Sequence, residues 1–172
     1  MGKDCGNSRR ILNELSSLGG KKTGKIFDFD DLKKLHYIHG AVSESMRLFP
    51  PVPIDSTLAV KDDILPDGTF IQKGWFADYS AYAMGKNANV WGEDCRKFKP
   101  ERWLGSDGLD QMPDQFQYPV FHCGPRICLG KEMAYVHMKS IVAAVMGEFK
   151  GGGTAEKMME PPSSLCLLVL TL

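Results

Sequence analysis

The sequence holds no apolar run of about eighteen residues, the length a membrane-spanning helix needs, so nothing in it spans a bilayer. It has no excess of either charge: 21 Lys and Arg balance 21 Asp and Glu. Basic residues gather only in pairs such as Arg9-Arg10 and Lys21-Lys22, which argues against a nucleic-acid partner. The five cysteines, Cys5, Cys95, Cys123, Cys128 and Cys166, form no C-x-x-C pair. Their odd number and the lack of a secretory signal point to a reducing compartment. No internal repeat is visible. What remains is an ordinary chain of 172 residues, expected to form one domain over 1–172. A domain of that size buries about 70% of its unfolded surface.

Hydrophobic spacing predicts a short amphipathic helix over Arg9–Leu18, with Ile11, Leu12, Leu15 and Leu18 on one face. Ser8 is its expected N-cap, and Gly19-Gly20 its end. A second helix is expected over Asp30–Phe49, capped by Asp30 or Asp31 and stopped by the prolines at Pro50, Pro51 and Pro53. Strands are expected at Thr57–Val60, Thr69–Gln72 and Trp75–Ser80, with a turn at Pro66-Asp67-Gly68. Ala81–Trp91 reads as mixed helix and loop, and Trp103–Gln117 as a polar meander. A long helix is expected from about Cys128 to Phe149, then a glycine break at 151–153 and a buried strand at Leu165–Leu172. The class is α+β, mainly α with small β-sheets.

The densest chemistry lies in Phe121-His-Cys-Gly124-Pro-Arg126-Ile-Cys128-Leu-Gly130, an F-x-x-G-x-R-x-C-x-G pattern. A cysteine ligates metal as thiolate, and a free thiol has a pKa of roughly 8.5. A helix N-terminus and a nearby cation both lower it. Cys128 has Arg126 two residues upstream and a predicted helix downstream. Gly124 and Gly130 let the backbone approach a flat ligand without a Cβ in the way, and Pro125 stiffens the loop. The plainer reading is a structural cysteine in a Gly/Pro turn.

Two further motifs precede the loop. Glu44-Ser-Met-Arg47-Leu-Phe-Pro50-Pro51-Val-Pro53 places Glu44 and Arg47 three apart, on one helix face. By spacing alone this is an exposed ion pair worth roughly 0–1 kcal/mol. Phe98-Lys-Pro100-Glu101-Arg102-Trp103 by itself is a solvated charge run.

Together, in this order, the three motifs resemble the cytochromes P-450, the haem-thiolate monooxygenases. The resemblance covers nearly the whole chain, as the C-terminal part of that fold. It implies that Cys128 is the axial ligand of the iron of haem b and thereby the catalytic centre. It implies that Phe121 packs beside the sulfur, that Arg126 pairs with a haem propionate, and that Gly124 and Gly130 allow close haem approach. Glu44, Arg47 and Arg102 would form a buried structural triad rather than a catalytic one. Ser43–Ser56, Leu65–Thr69, Tyr82–Gly85, Trp91–Asp94 and Cys128–Ala134 look like the plant fatty-acid hydroxylase group. That likeness implies a lipophilic substrate related to a fatty acid, lined by Val52, Pro53 and Ile54. It further implies molecular oxygen, an electron-donating NADPH-dependent reductase and residence at the endoplasmic reticulum membrane. With no anchor in this chain, the cytoplasmic side or solution is the expectation.

The family's central oxygen-activating helix, its membrane anchor and the helices over the far face of the haem have no counterpart here. The chain is therefore expected to be an inactive fragment on its own. Gly40 stands inside a predicted helix, which costs up to about 1 kcal/mol in propensity. The alternative function is a haem- or metal-binding remnant without oxygenase activity. For zinc it would draw on His122, Cys123, Cys128 and His137, with irregular spacing for a tetrahedral site.

Overall fold

The computed structural model describes residues 5–19 and 27–148. The expected glycine break at 151–153 and the strand at Leu165–Leu172 lie outside the described residues. The elements run α1 (Cys5–Ser17), α2 (Phe29–Lys33), α3 (His36–Leu48), β1 (Asp55–Leu58), β2 (Asp63–Ile64), β3 (Phe70–Ile71), β4 (Phe76–Tyr79), α4 (Ala81–Gly85), α5 (Ala88–Trp91) and α6 (Lys131–Glu148). Short 3₁₀ turns occupy Pro100–Trp103, Pro119–Phe121 and Gly124–Arg126. The class is the expected one, mainly helical with small antiparallel sheets.

Helix α1 buries Ile11 and Leu15 and stops where Gly19 turns to φ +79° and bonds back to the Ser16 carbonyl. It starts at Cys5 rather than at Arg9, so Ser8 is an interior residue and not the N-cap. A tertiary contact anchors the added turn: the Tyr37 hydroxyl donates to Asn7 Oδ1 at 2.9 Å.

The single helix expected over Asp30–Phe49 is two. Helix α2 is capped by Asp28, whose side chain accepts the Asp31 N–H; Asp30 and Asp31 sit in its first turn. The chain then breaks at Lys34-Leu35, and α3 begins at His36 with no local side-chain cap. Glu14 of α1 supplies the missing acceptors, taking the Tyr37 N–H at 2.7 Å and the Ile38 N–H at 2.9 Å.

Nearly every residue of α3 is buried, including Ile38, Val42 and Met46. It packs against α1, against α6 through Tyr135, Met138, Val142, Ala143 and Met146, and against the 3₁₀ turn at Pro100–Trp103. Gly40 explains its own helical position. A Cβ there would stand 2.9 Å from the Pro100 carbonyl oxygen and 3.3 Å from Trp103 Cβ. Close approach of the two segments offsets the lost propensity.

The strands lie near the surface; β3 and β4 are shorter than the expected Thr69–Gln72 and Trp75–Ser80, and β1 is shifted. β1 covers Asp55–Leu58 instead of Thr57–Val60 and pairs antiparallel with β4, Asp55 opposite Tyr79 and Leu58 opposite Phe76. β3 pairs with β2, a strand the apolar pattern did not announce, because Asp63–Ile64 is only two residues long. The Pro66-Asp67-Gly68 turn forms as expected, with Gly68 at φ +87° and Asp67 Oδ1 accepting the Thr69 N–H.

Helix α6 begins at Lys131, three residues after Cys128. Leu129 and Met133 continue the apolar spacing on paper but face outward, Leu129 fully exposed and Met133 64% exposed. No helix among the described residues is long and apolar enough to cross a membrane.

Candidate functional site

Glu44 is fully buried at the centre of a charge network. Its two carboxylate oxygens accept from Arg47, Nε to Oε2 at 2.7 Å and Nη2 to Oε1 at 2.8 Å. Three apart on α3, the two side chains reach each other with the paired geometry that makes a guanidinium–carboxylate contact strong. The Lys99 backbone N–H adds a bond to Oε1 at 2.9 Å, and Trp103 Nε1 one to Oε2 at 3.0 Å. Arg102 Nε stands 3.4 Å from Oε1 as an ion pair. The structure thus brings Glu44, Arg47 and Arg102 together. It excludes the bland readings of both motifs, since Glu44 and Arg47 have no exposed side-chain surface and Arg102 has only 12%.

The spare donors of both arginines go to backbone. Arg47 Nη1 bonds the carbonyls of Gly85 and Cys95, and Nη2 that of Lys97 at 3.3 Å. Arg102 reaches the Trp91 carbonyl at 3.0 Å and the Asp94 carbonyl at 2.7 Å, and pairs with the Asp94 carboxylate. The Arg102 and Lys99 bonds hold the Asp94 carboxyl down at about 2. One helix therefore ties down the whole 85–103 segment. Sequence reasoning missed Asp94, Lys99 and Trp103. Trp103 adjoins the P-E-R motif and could have been flagged as a buried indole needing an acceptor. Asp94 and the Lys99 amide left no periodic signal.

The Cys128 loop hangs from this core at its two ends. Phe121 stacks at a tilt on Tyr135, ring centres 5.5 Å apart. The Tyr135 hydroxyl shares a 2.8 Å hydrogen bond with Ser43 of α3, and burial pushes its pKa up to about 12. The Cys128 N–H donates to the Phe121 carbonyl at 2.8 Å, closing the loop. At the other end, the Gly130 carbonyl accepts the Ala134 N–H and starts α6. Cys128 thus lies just ahead of the helix rather than within its first turn.

Between these anchors the loop is open. Cys128, Gly124, Arg126 and Gly130 are all exposed. A Cβ on Gly124, which sits at φ +62°, would meet nothing within 4 Å; one on Gly130 would meet only the Cys128 sulfur, at 3.8 Å. Ile127, Leu129 and Met133 add exposed apolar surface around the thiol. A thiol donor on a Cβ-free surface with apolar flanks suits a large flat apolar ligand carrying a metal, so the residues present fit a haem. Among the described residues no group of three or more His, Cys, Asp or Glu is placed to hold a bare metal ion. His137 is exposed, and His122 is engaged with Asp55 and Tyr79, so the zinc alternative gains no geometry.

Val52, Pro53 and Ile54 are exposed. They lie beside the loop. Asp55, the next residue, places Oδ2 3.0 Å from His122 Nδ1. The Pro53 carbonyl accepts the Ser80 hydroxyl and the Tyr82 N–H, fixing the segment to the start of α4.

The sequence profile of the family described as Cytochrome P-450 matches residues 7–170. Cytochrome P-450 94A1 of Vicia sativa is 47% identical over 156 residues, covering 88% of this chain and 29% of that protein. Cytochrome P-450 94C1 of Arabidopsis thaliana is 48% identical over 121 residues, covering 70% of this chain and 24% of that protein. A Cytochrome P-450 of Helianthus annuus is 49% identical over 119 residues, covering 69% of this chain and 76% of that protein. The chain thus spans less than a third of the length of the first two.

Proposed function

Because the chain belongs to the cytochrome P-450 family, we propose that Cys128 would hold the iron of a haem b as its thiolate ligand. The single observation that carries this reading is the exposed Cys128 thiol on a loop whose flanking glycines leave room for a flat ligand. The bound haem would supply activation of molecular oxygen for insertion of one oxygen atom into a lipophilic substrate.

The chain's own residues have separate tasks. Phe121 covers one side of the loop from its seat on Tyr135. Gly124 and Gly130 keep side chains out of the ligand's plane. Arg126, exposed on the same loop, would pair with a haem propionate. Glu44, Arg47 and Arg102 hold the proximal scaffold and touch no reacting atom. Val52, Pro53 and Ile54, next to the Asp55–His122 contact, line the substrate side. A fatty acid or a molecule derived from one is the substrate class, supported by the 94-group relatives together with the likeness to plant fatty-acid hydroxylases. Electrons come from an NADPH-dependent reductase, and the whole protein works at the endoplasmic reticulum membrane.

The 172-residue chain by itself does not hydroxylate. Ile127, Leu129 and Met133 on and after the Cys128 loop are open to water, so the described residues would leave the iron exposed to solvent. The test is the reduced, carbon-monoxide-bound absorption spectrum of the haem-reconstituted chain beside Cys128→Ser. A red-shifted Soret band lost in the variant is the expected result. An identical spectrum in both proteins would overturn the assignment of Cys128.

A further inference from the structure

His122 stands apart from every other described residue. It is the one non-glycine among them with a positive φ, at φ 58° and ψ −175°. That region of backbone space is essentially reserved for glycine, because a Cβ there crowds its own peptide groups. A strained residue persists only where its surroundings hold it. Here the surroundings are specific. His122 Nδ1 lies 3.0 Å from Asp55 Oδ2 and 2.9 Å from Tyr79 Oη. The Tyr79 hydroxyl in turn donates to Asp55 Oδ2 at 3.3 Å. Asp55 and Tyr79 face each other across the β1–β4 pair. Nδ1 thus meets both side chains, and the imidazole is clamped to the sheet through it.

The clamp acts where the Cys128 loop closes. The peptide group between Phe121 and His122 carries the carbonyl that accepts the Cys128 N–H at 2.8 Å. His122 also donates its own N–H to the Pro119 carbonyl at 3.0 Å. From Gly124 to Gly130 the loop is exposed and buries no side chain of its own. Its closure at the Phe121 end therefore runs through that peptide group.

We propose that His122 is a positioning residue: Asp55 and Tyr79, acting through its imidazole, hold a glycine-like backbone kink that aims the Phe121 carbonyl at the Cys128 amide. The proposal deepens the ligand assignment of Cys128, whose sulfur is carried on the bond so held. It is tested without haem, so its failure and that of the ligand assignment are separately visible.

The experiment is residue-resolved amide hydrogen exchange on the full 172-residue chain. Asp55→Ala is expected to speed exchange at the Cys128 amide by about fivefold to tenfold, the size of losing one hydrogen bond. The amides of Val42 and Ala143 in the helical core are expected to keep their rates. His122→Gly is expected to retain the Cys128 protection, since glycine adopts the kink unaided. In that background Asp55→Ala is expected to add nothing. An unchanged Cys128 rate in Asp55→Ala overturns the proposal. So does equal acceleration in the His122 and Gly backgrounds, or acceleration shared with Val42 and Ala143.

Discussion

The carboxylate of Glu14 on α1 caps α3 by accepting the backbone N–H of Ile38 at 2.9 Å. Its second oxygen takes the Tyr37 N–H at 2.7 Å. A helix ordinarily satisfies its first amides with a neighbouring Ser, Thr, Asp or Asn; here the acceptor comes from more than twenty residues away, and Leu35 stands at the local N-cap. The helix start is thereby tied to the packing of α1. Burial nevertheless raises the Glu14 pKa, against the lowering by its backbone hydrogen bonds.

Glu14→Ala is accordingly expected to destabilise the chain by about 1–2 kcal/mol, the cost of losing a cap. Chemical denaturation followed by far-ultraviolet circular dichroism measures it. A loss below a few tenths of a kcal/mol would mean water replaces the carboxylate at no cost.

His39 makes stability fall in mild acid. It stacks on Tyr135, ring centres 4.2 Å apart, and burial lowers its pKa to about 4. Asp110 opposes that shift, and Lys139, Lys131 and His36 reinforce it. In the unfolded chain an imidazole titrates near 6.5. Between those values the unfolded state binds the extra proton and the folded state does not, so stability drops as pH falls through the window. The expected drop is about 1–3 kcal/mol. His39→Phe should flatten the slope between pH 6.5 and 4 in urea denaturation midpoints. A slope unchanged by the substitution would assign it to other groups.

Gly40→Ala should destabilise even though alanine is the better helix former. The added methyl would lie 2.9 Å from the Pro100 carbonyl oxygen, a backbone atom with little freedom to retreat. Overpacking of this kind costs about 1–3 kcal/mol, against about 1 kcal/mol gained in propensity. Thermal unfolding of the variant decides the sign. A rise in midpoint would show that the 100–103 turn shifts freely.

The core was legible where periodicity and burial coincide. Ile11 and Leu15, Ile38, Val42 and Met46 are buried as their spacing implied. The same rule failed at Leu129, which precedes the helix on a loop that faces out, and at Met133, which lies exposed in the first turn of α6. It failed again at Lys34-Leu35, where a contact from α1 splits one apolar stripe into two helices. The charge network could be read only by joining three separated motifs, since Glu44 and Arg47 alone match any exposed pair. Asp94, the Lys99 amide and the Asp55–Tyr79–His122 cluster left no mark, because long-range polar contacts have no period.

Glu44→Gln puts the network to the severest trial. Glutamine keeps the shape and one acceptor oxygen but removes the charge that balances Arg47, which is fully buried. Arg47 would keep its carbonyl partners at Gly85, Cys95 and Lys97, and none of them is ionised. A buried charge stranded in this way costs about 3–5 kcal/mol. Glu44→Gln combined with Arg47→Met, which removes both charges, should recover much of that loss, since a matched apolar replacement avoids the stranded cation. The double variant would still lack the anchor on the 85–97 carbonyls. Hydrogen exchange there should therefore stay faster than in the parent chain while the α3–α6 core regains protection. Recovery of both regions together would show that the network adds no anchoring beyond its own charge balance.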